Sequence, residues 1–491
     1  MTSIGRKMFD GAIWMTLLNL LERSIALVST LILVRLLAPE DFGVIAMAMV
    51  FVQGLELLTA FGFDIVLIQK QETTRVHYDT AWTFKICFGV LSTTLLLLIA
   101  PFAADFYMKP ELTLIIRALA LGFLIRSFEN IAIVDFRKFM QFNKDFYLRL
   151  SVKAVGFMVT IPLAFQLRSY WALIFGVLAT NLATLVFSFI ARPYLPRLTF
   201  AAGKEIFSFS SWLMLNNFIF FLRNKLPDLV TGRMLGAQAL GIYAVSLEVS
   251  TIPTIGISAA VNRAIFPGYA KLSRDDDSFN RTVREVTGAM SLFSFPVAFG
   301  MIATADLFVP LVLGEKWTAV IPVVQLLAVY GMIGACTSNW IYVFNAQAKP
   351  QLATQVGVFQ VLLMIPILFL CIRWFGTPGV AAAVSLIAAV TVPLMMWMLS
   401  KVAGVSALGL FKAILRPLAA SLIMYALTFE FVTRWRDDFA GTGEWLHLGL
   451  AIALGVTVYI ASIFLLWMSV GKPEGPEAWS LRLLQRKTTS T

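Results

Sequence analysis

Apolar residues in this chain come in runs longer than a soluble core uses. The first six lie near 12–37, 42–68, 80–101, 113–134, 147–167 and 169–191. Six more lie near 208–231, 239–265, 286–312, 321–345, 352–374 and 377–400, and a last pair near 410–433 and 445–470. A helix needs about 20 apolar residues to cross hydrocarbon, and backbone exposed to lipid must satisfy its own hydrogen bonds. The pattern therefore predicts an all-α polytopic transmembrane bundle of about 14 helices. The period-2 alternation of a membrane barrel is absent. The polar start MTSIGRKMFDG runs into an apolar stretch too long for a signal h-region, with no clear small-residue cleavage site. It is not expected to be a cleavable signal peptide.

The polar intervals give the orientation. Basic residues gather at the N-terminus (Arg6, Lys7) and in every second loop: Lys70 and Arg75; Arg137, Lys138, Lys144 and Arg149; Arg192, Arg197 and Lys204; Lys271, Arg274, Arg281 and Arg284. The tail adds Lys472, Arg482, Arg486 and Lys487, whereas the other loops hold few, such as Lys109, Arg168, Lys316 and Arg373. The imbalance is about threefold, which places both termini in the cytoplasm. An even number of spans requires the same.

The chain also repeats itself weakly. Arg35-Leu-Leu-Ala-Pro-Glu-Asp-Phe-Gly43 closes the first segment, and Arg233-Met-Leu-Gly-Ala-Gln-Ala-Leu-Gly241 closes the seventh with the same Arg-to-Gly spacing. Ala103-Ala-Asp-Phe106 resembles Thr304-Ala-Asp-Leu307, and Ile161-Pro-Leu-Ala-Phe165 resembles Ile365-Pro-Ile-Leu-Phe369. Chance likeness among apolar segments is the competing explanation for each pair. Taken in order, the pairs suggest a lobe over 1–204, a second over 205–404, two further helices over 405–470 and a cytoplasmic tail over 471–491. Parallel repeats imply a pseudo-twofold axis along the membrane normal, with a site between the halves.

Composition agrees with lipid as the solvent. Of 491 residues, 59% are hydrophobic and 14% charged, and the mean hydropathy is +0.82. Soluble domains run at roughly 45–50% apolar and about 25% charged. The net charge of +11 would suggest nucleic acid in a soluble protein, but here it lies between spans and serves topology, so no nucleic-acid partner is expected. Cys87, Cys336 and Cys371 sit in apolar runs as core residues, without a disulfide framework. His77 and His447 show no metal-ligand spacing, and no P-loop, GxSxG or HExxH is present. No metal, cofactor or catalytic residue is expected.

Charge inside a span costs roughly 2.5–3.5 kcal/mol per residue on insertion scales, so these residues are the first candidates for function. Thr16, Asn19, Arg23 and Thr30 make one polar stripe on the first segment, beside Glu22. Gln53, Glu56 and Asp64 share a face of the second. Arg117, Arg126 and Glu129 lie on the fourth, Lys153 on the fifth, and Asn216, Asn217, Arg223, Asn224, Lys225 and Asp228 on the seventh, followed by Glu248 on the eighth. The same groups can act as helix–helix glue, Glu22 with Arg23 for example. Arg35, Lys85 and Arg263 fit snorkelling toward the interface. As a set, such stripes need water or a polar ligand beside them. The basic members suit a diphosphate, since guanidinium matches phosphate oxygens bidentately: Arg23, Arg126, Lys153 and Arg223, with Asn216, Asn217 and Asn224. The acidic members Glu22, Glu56, Asp64, Asp228 and Glu248 suit a coupling cation or proton.

Leu36-Leu-Ala-Pro-Glu-Asp-Phe-Gly43, with Phe61-Gly62 and Ile68-Gln69, resembles the start of Wzx-type polysaccharide flippases. Phe308-Val-Pro-Leu-Val-Leu-Gly-Glu-Lys-Trp317, continuing Ile321-Pro-Val-Val-Gln-Leu-Leu327, is similar to the colanic-acid exporter branch. Phe266-Pro267 and the stretch through Asp228, Gly232, Gly236, Gly241 and Tyr243 fit the same pattern. The resemblance covers nearly the whole chain. It implies the multidrug/oligosaccharidyl-lipid/polysaccharide superfamily, with two six-helix lobes and two extra helices in the bacterial inner membrane. It also implies transfer of undecaprenyl-diphosphate-linked oligosaccharide repeat units to the periplasmic leaflet by alternating access, with cation coupling. Arg23, Arg126 and Arg223 match the family's positively charged cavity residues by helix. A polymerase and a chain-length regulator of the same pathway are the implied protein partners. Two other functions compete. A cation-coupled drug antiporter of the superfamily would have to bind a cationic drug among many basic residues. A membrane polysaccharide polymerase or ligase would need a large periplasmic loop, and no periplasmic loop between these segments exceeds about a dozen residues.

Overall fold

The computed structural model describes residues 3–57, 66–68, 70, 72–203, 211–272, 276–439, 441, 443–469 and 471. Among these the chain is helical without strands. The first six long helices are α1 (Ser3–Leu36), α2 (Pro39–Glu56), α3 (Arg75–Tyr107), α4 (Glu111–Ser127), α5 (Phe142–Leu167) and α6 (Trp171–Ala191). They are followed by α7 (Ser211–Leu272), α8 (Asp276–Phe308), α9 (Ile321–Ala346), α10 (Gln351–Ala403), α11 (Ala407–Arg434) and α12 (Glu444–Ser469). Two of the twelve are broken. Gly236 in α7 has φ 83° and Gly376 in α10 has φ 60°, conformations only glycine adopts at low cost. After Gly376, Pro378 supplies a residue without N–H in the first turn of the resumed helix, where no acceptor is needed. Counting both halves of each broken helix gives fourteen helical segments, as the hydrophobic pattern predicts. Among the described residues ten helices are long and apolar enough to cross a membrane, and the chain is a multi-pass membrane protein.

By contacts the chain divides into two units, Met1–Gly241 and Ile242–Thr491. In the first, α3 packs on α4, α5 on α6 and on α1, and α4 on α2 and α6. In the second, α8 packs on α9, α11 and α12, and α10 packs on α9 and α11. The second unit's core holds Tyr269, Phe279, Val283, Trp340, Phe344 and Leu399.

The residues that carry the family resemblance are joints of this fold. Pro39 opens α2, and the Asp41 carboxylate accepts the Ala38 N–H at 2.9 Å and the Tyr170 N–H at 3.1 Å. Lys109 pairs with Glu40, and that bond holds the ammonium pKa above its ordinary value. At the other motif a π-helical turn, Val309–Leu313, ends at Gly314 with φ 104°, and Trp317 is fully buried behind it.

The two Arg-to-Gly repeats meet each other. A Cβ on Gly43 would sit 1.7 Å from the Ala237 carbonyl oxygen, and a Cβ on Gly241 would sit 1.7 Å from that of Pro39. Gly43 and Gly241 hold the eighth position after each arginine; Pro39 and Ala237 hold the fourth. Position eight of each repeat thus touches position four of the other, the reciprocal contact a twofold relation produces. The hydrophobic pattern alone carries the fourth segment to residue 134, but α4 stops at Ser127. Asn130 ends it: its side-chain oxygen accepts from Ala132 N–H at 3.0 Å, and its Nδ2 donates to the Arg192 carbonyl at 2.6 Å. A short 3-10 turn, Ile131–Val134, follows.

Candidate functional site

The first unit draws most of its intramembrane charges into pairs. Trp14 of α1 packs its ring 4.9 Å from Phe146 of α5, and Gly11 leaves no room for a Cβ against the Phe142 ring. This close seam brings Glu22 to α5, where Arg149 Nη2 donates to Oε2 at 3.2 Å. Between α4 and α2, Arg126 Nη1 donates to Glu56 Oε1 at 3.1 Å. Lys85 of α3 reaches Glu129 Oε2 at 2.6 Å, so it is paired inward and does not snorkel. Within α7, Lys225 Nζ donates to Asp228 Oδ2 at 2.9 Å, three residues along the same face. A charge removed from water needs such a partner, or the helix would expel it.

Four carboxylates are neutralised in this way, and basic side chains are left over. Arg23 is exposed on α1 beside Leu20 and Leu27, turned away from the seam that holds Glu22. Glu22 and Arg23 therefore do not form a self-contained pair. Arg117 is exposed on α4, and Lys153 is half-buried on α5. Among the described residues no carboxylate pairs with Arg23, Arg117 or Lys153. On α7 the Arg223 guanidinium lies 4.6 Å from the Phe220 ring centroid, a cation–π distance, and approaches Asn224 Oδ1 at 3.4 Å. Asn217, Phe220 and Asn224 share one helical face that Arg223 flanks, and Asn217 and Asn224 are half-buried.

Among the described acidic candidates Asp228 is the most enclosed, 6% exposed. It shares its face of α7 with Thr231, and Gly232 lies directly under the Tyr107 ring. The Thr231 and Tyr107 hydroxyls are both buried, with no hydrogen-bond partner among the described residues. Tyr107 lies within electrostatic range of Asp228. A carboxylate beside two unsatisfied hydroxyls is a constellation that water or a small cation completes. Glu248 lies half-buried in the second unit's part of α7. Asp64 and the Asn216 side chain lie outside the described residues. Sequence reasoning did not single out Arg149, Tyr107 or Thr231. Arg149 counted as a loop residue because it stands at the edge of an apolar run, and the hydroxyls carry no charge to signal them.

A family model described as a polysaccharide biosynthesis protein matches residues 32–322. The chain is 26% identical over 386 residues to the lipopolysaccharide biosynthesis protein WzxC of Escherichia coli (strain K12), covering 77% of this chain and 78% of that protein. It is 25% identical over 464 residues to the teichuronic acid biosynthesis protein TuaB of Bacillus subtilis (strain 168), covering 94% and 96%. Among solved structures it superposes on the lipid II flippase MurJ in its inward closed conformation with a TM-score of 0.74. That match covers 93% of this chain and 99% of the other at 12% identity, a likeness of fold.

Proposed function

Since the chain belongs to the polysaccharide biosynthesis protein family, we propose that it is a flippase for undecaprenyl-diphosphate-linked oligosaccharide repeat units. It moves them from the cytoplasmic to the periplasmic leaflet of the bacterial inner membrane by alternating access. Both termini face the cytoplasm, as the basic loops require. The single observation that carries the reading is the surplus of positive charge left after the pairing above. Arg23, Arg117 and Lys153 have no carboxylate partner among the described residues, and an anionic ligand supplies the missing charge. Arg23, Arg223 and Lys153, with Asn217 and Asn224 as amide donors, hold the diphosphate and its first sugar. Arg126 joins them by exchanging Glu56 for phosphate. The same surplus repels a cationic drug, which disfavours the antiporter reading.

Asp228, with the Tyr107 and Thr231 hydroxyls, is the site of the coupling cation or proton, which takes the place that the Lys225 ammonium holds in this conformation. Glu56 and Glu248 are secondary candidates, and Glu22 serves as a structural partner of Arg149. The chain performs no covalent chemistry. The lipid carries the activated sugar, and a polymerase and chain-length regulator of the pathway act on the product. The two named relatives that act in lipopolysaccharide and teichuronic acid biosynthesis support a polymeric glycan as the destination.

The test is polysaccharide export in a flippase-deletion strain, with membrane abundance measured alongside. Arg23→Lys keeps charge and loses the bidentate fork; Arg23→Ala loses both. Export is expected to fall in the order wild type, Lys, Ala at equal abundance. Normal export by the Ala variant removes Arg23 from the site.

A further inference from the structure

The segment over 192–203 follows α6, and it is an extended strap laid along the first turns of α3. Pro193 and Pro196 keep it out of helix and remove two amide donors. Its remaining amides are largely accounted for. Arg197 N–H donates to Asp79 Oδ1 at 3.0 Å, Thr199 N–H to Thr83 Oγ1 at 2.9 Å and Ala202 N–H to Thr80 Oγ1 at 3.3 Å. Tyr194 OH donates to the same Asp79 oxygen at 2.7 Å, and Arg75 Nη2 donates to the Leu195 carbonyl at 3.0 Å. Burial, then the bond to Asp79, hold the Tyr194 phenol well above its ordinary pKa, so it remains a donor at any physiological pH. Asp79, Thr80 and Thr83 thus form a ladder on one face of α3 that takes the amides helix or sheet would otherwise take.

The position of this ladder fixes its depth. The 33 residues of α3 span about 50 Å at 1.5 Å each, well beyond the roughly 30 Å of hydrocarbon. Its stretch without charged residues starts at Ile86, after Lys85, and runs to Ala104. Residues 75–84, and the strap beside them, therefore lie at headgroup depth. The strap's outward face matches that layer. Leu195, Leu198 and Phe200 are 78%, 71% and 60% exposed, while Tyr194, Pro196 and Thr199 turn inward. Between them stand the exposed Arg192 and Arg197. Arg192 is tied to the buried Asp135 at 3.0 Å, but no carboxylate among the described residues pairs with Arg197. Apolar side chains interleaved with guanidinium on one face suit a lipid interface, where chains take the first and phosphates the second.

We propose that this strap is a membrane-interface anchor whose outward face sits in the headgroup layer and binds anionic phospholipid, with Arg197 on the phosphate and Leu195, Leu198 and Phe200 in the upper acyl region. The proposal rests on the membrane placement of α3 and is independent of the transported substrate. It gives the strap the role of holding the start of α3 at constant depth.

Two measurements on the full chain in lipid nanodiscs test it. In the first, the three free cysteines are replaced by serine and Leu198→Cys is labelled with bimane. Phospholipid brominated near the headgroup is expected to reduce emission about twofold, with little effect of aqueous iodide, as an interfacial depth of about 5–10 Å requires. Strong iodide quenching with no effect of brominated lipid overturns the anchor. In the second, the otherwise native chain and its Arg197→Gln variant are released from discs of mixed phosphatidylglycerol and phosphatidylcholine, and retained lipids are counted by native mass spectrometry. The variant is expected to retain less phosphatidylglycerol and unchanged phosphatidylcholine. Equal retention of phosphatidylglycerol overturns the headgroup contact.

Discussion

At the scale of single residues, the fate of each intramembrane charge decides whether it serves structure or substrate. Arg149→Ala strands the Glu22 carboxylate in a seam that is only partly open to solvent. We expect a loss of about 1–3 kcal/mol, read as a lower Tm in detergent, and partial recovery when Glu22→Gln is added. Tyr107→Phe and Thr231→Val remove hydroxyls that have no partner among the described residues, so stability should hold or rise. If these hydroxyls complete a cation site with Asp228, the same variants weaken the cation dependence of transport; unchanged dependence removes them from it. Sequence alone exposed Glu22, Glu56, Arg126 and Asp228 because charge in an apolar run is conspicuous. It did not expose their partners. Glu22 and Arg149 stand 127 residues apart, and Glu56 and Arg126 stand 70 apart, so only tertiary packing joins them. Lys225 and Asp228 stand three residues apart on one helix, a spacing that brings them to one face, but sequence reasoning did not pair them.

At the scale of elements, glycine decides how closely helices meet. Gly241→Ala and Gly43→Ala each place a methyl on a backbone carbonyl of the other repeat, which only a shift of the backbone relieves. We expect each to lower Tm by several degrees, of the order of 1–3 kcal/mol for an overpacked contact. Gly449 in α12 has nothing within 4 Å of a built Cβ, and Gly449→Ala is expected to be neutral or to stabilise by about 0.5–1 kcal/mol through helix propensity. Equal effects at Gly241 and Gly449 would contradict the reciprocal contact. The same logic explains which parts of the chain read most clearly as a family signature. Pro39, Asp41 and Gly43 start, cap and pack α2, and Gly314 and Trp317 end a π-turn and plug it. The recognisable residues are joints, so the resemblance was strong for fold and weak for the site. The end of α4 was not legible, because its apolar run continues past the point where Asn130 stops the helix.

At the scale of the whole molecule, the membrane class was legible from hydropathy alone, since lipid leaves helices as the economical way to carry long apolar runs. The break in the apolar pattern between the runs near 208–231 and 239–265 falls where Gly236 interrupts α7, and the first half of α7 packs on α2 through Gly54, Met47 and Gly43. Topology has its own test. Reporter fusions after Pro39 and at Lys472 should report opposite sides of the membrane, and matching compartments would sink the fourteen-span arrangement. The central claim is that leftover positive charge carries a lipid diphosphate across. Purified chain in proteoliposomes, given a fluorescent undecaprenyl-diphosphate oligosaccharide in one leaflet, tests it most directly. The wild type is expected to expose the label to an external quencher, and Arg23→Ala combined with Arg223→Ala is expected to slow this at least about tenfold, the loss of one or two charge-assisted bonds. Equal rates for the double variant and the wild type, or equal transfer of a lipid-linked sugar that lacks the diphosphate, would contradict the account.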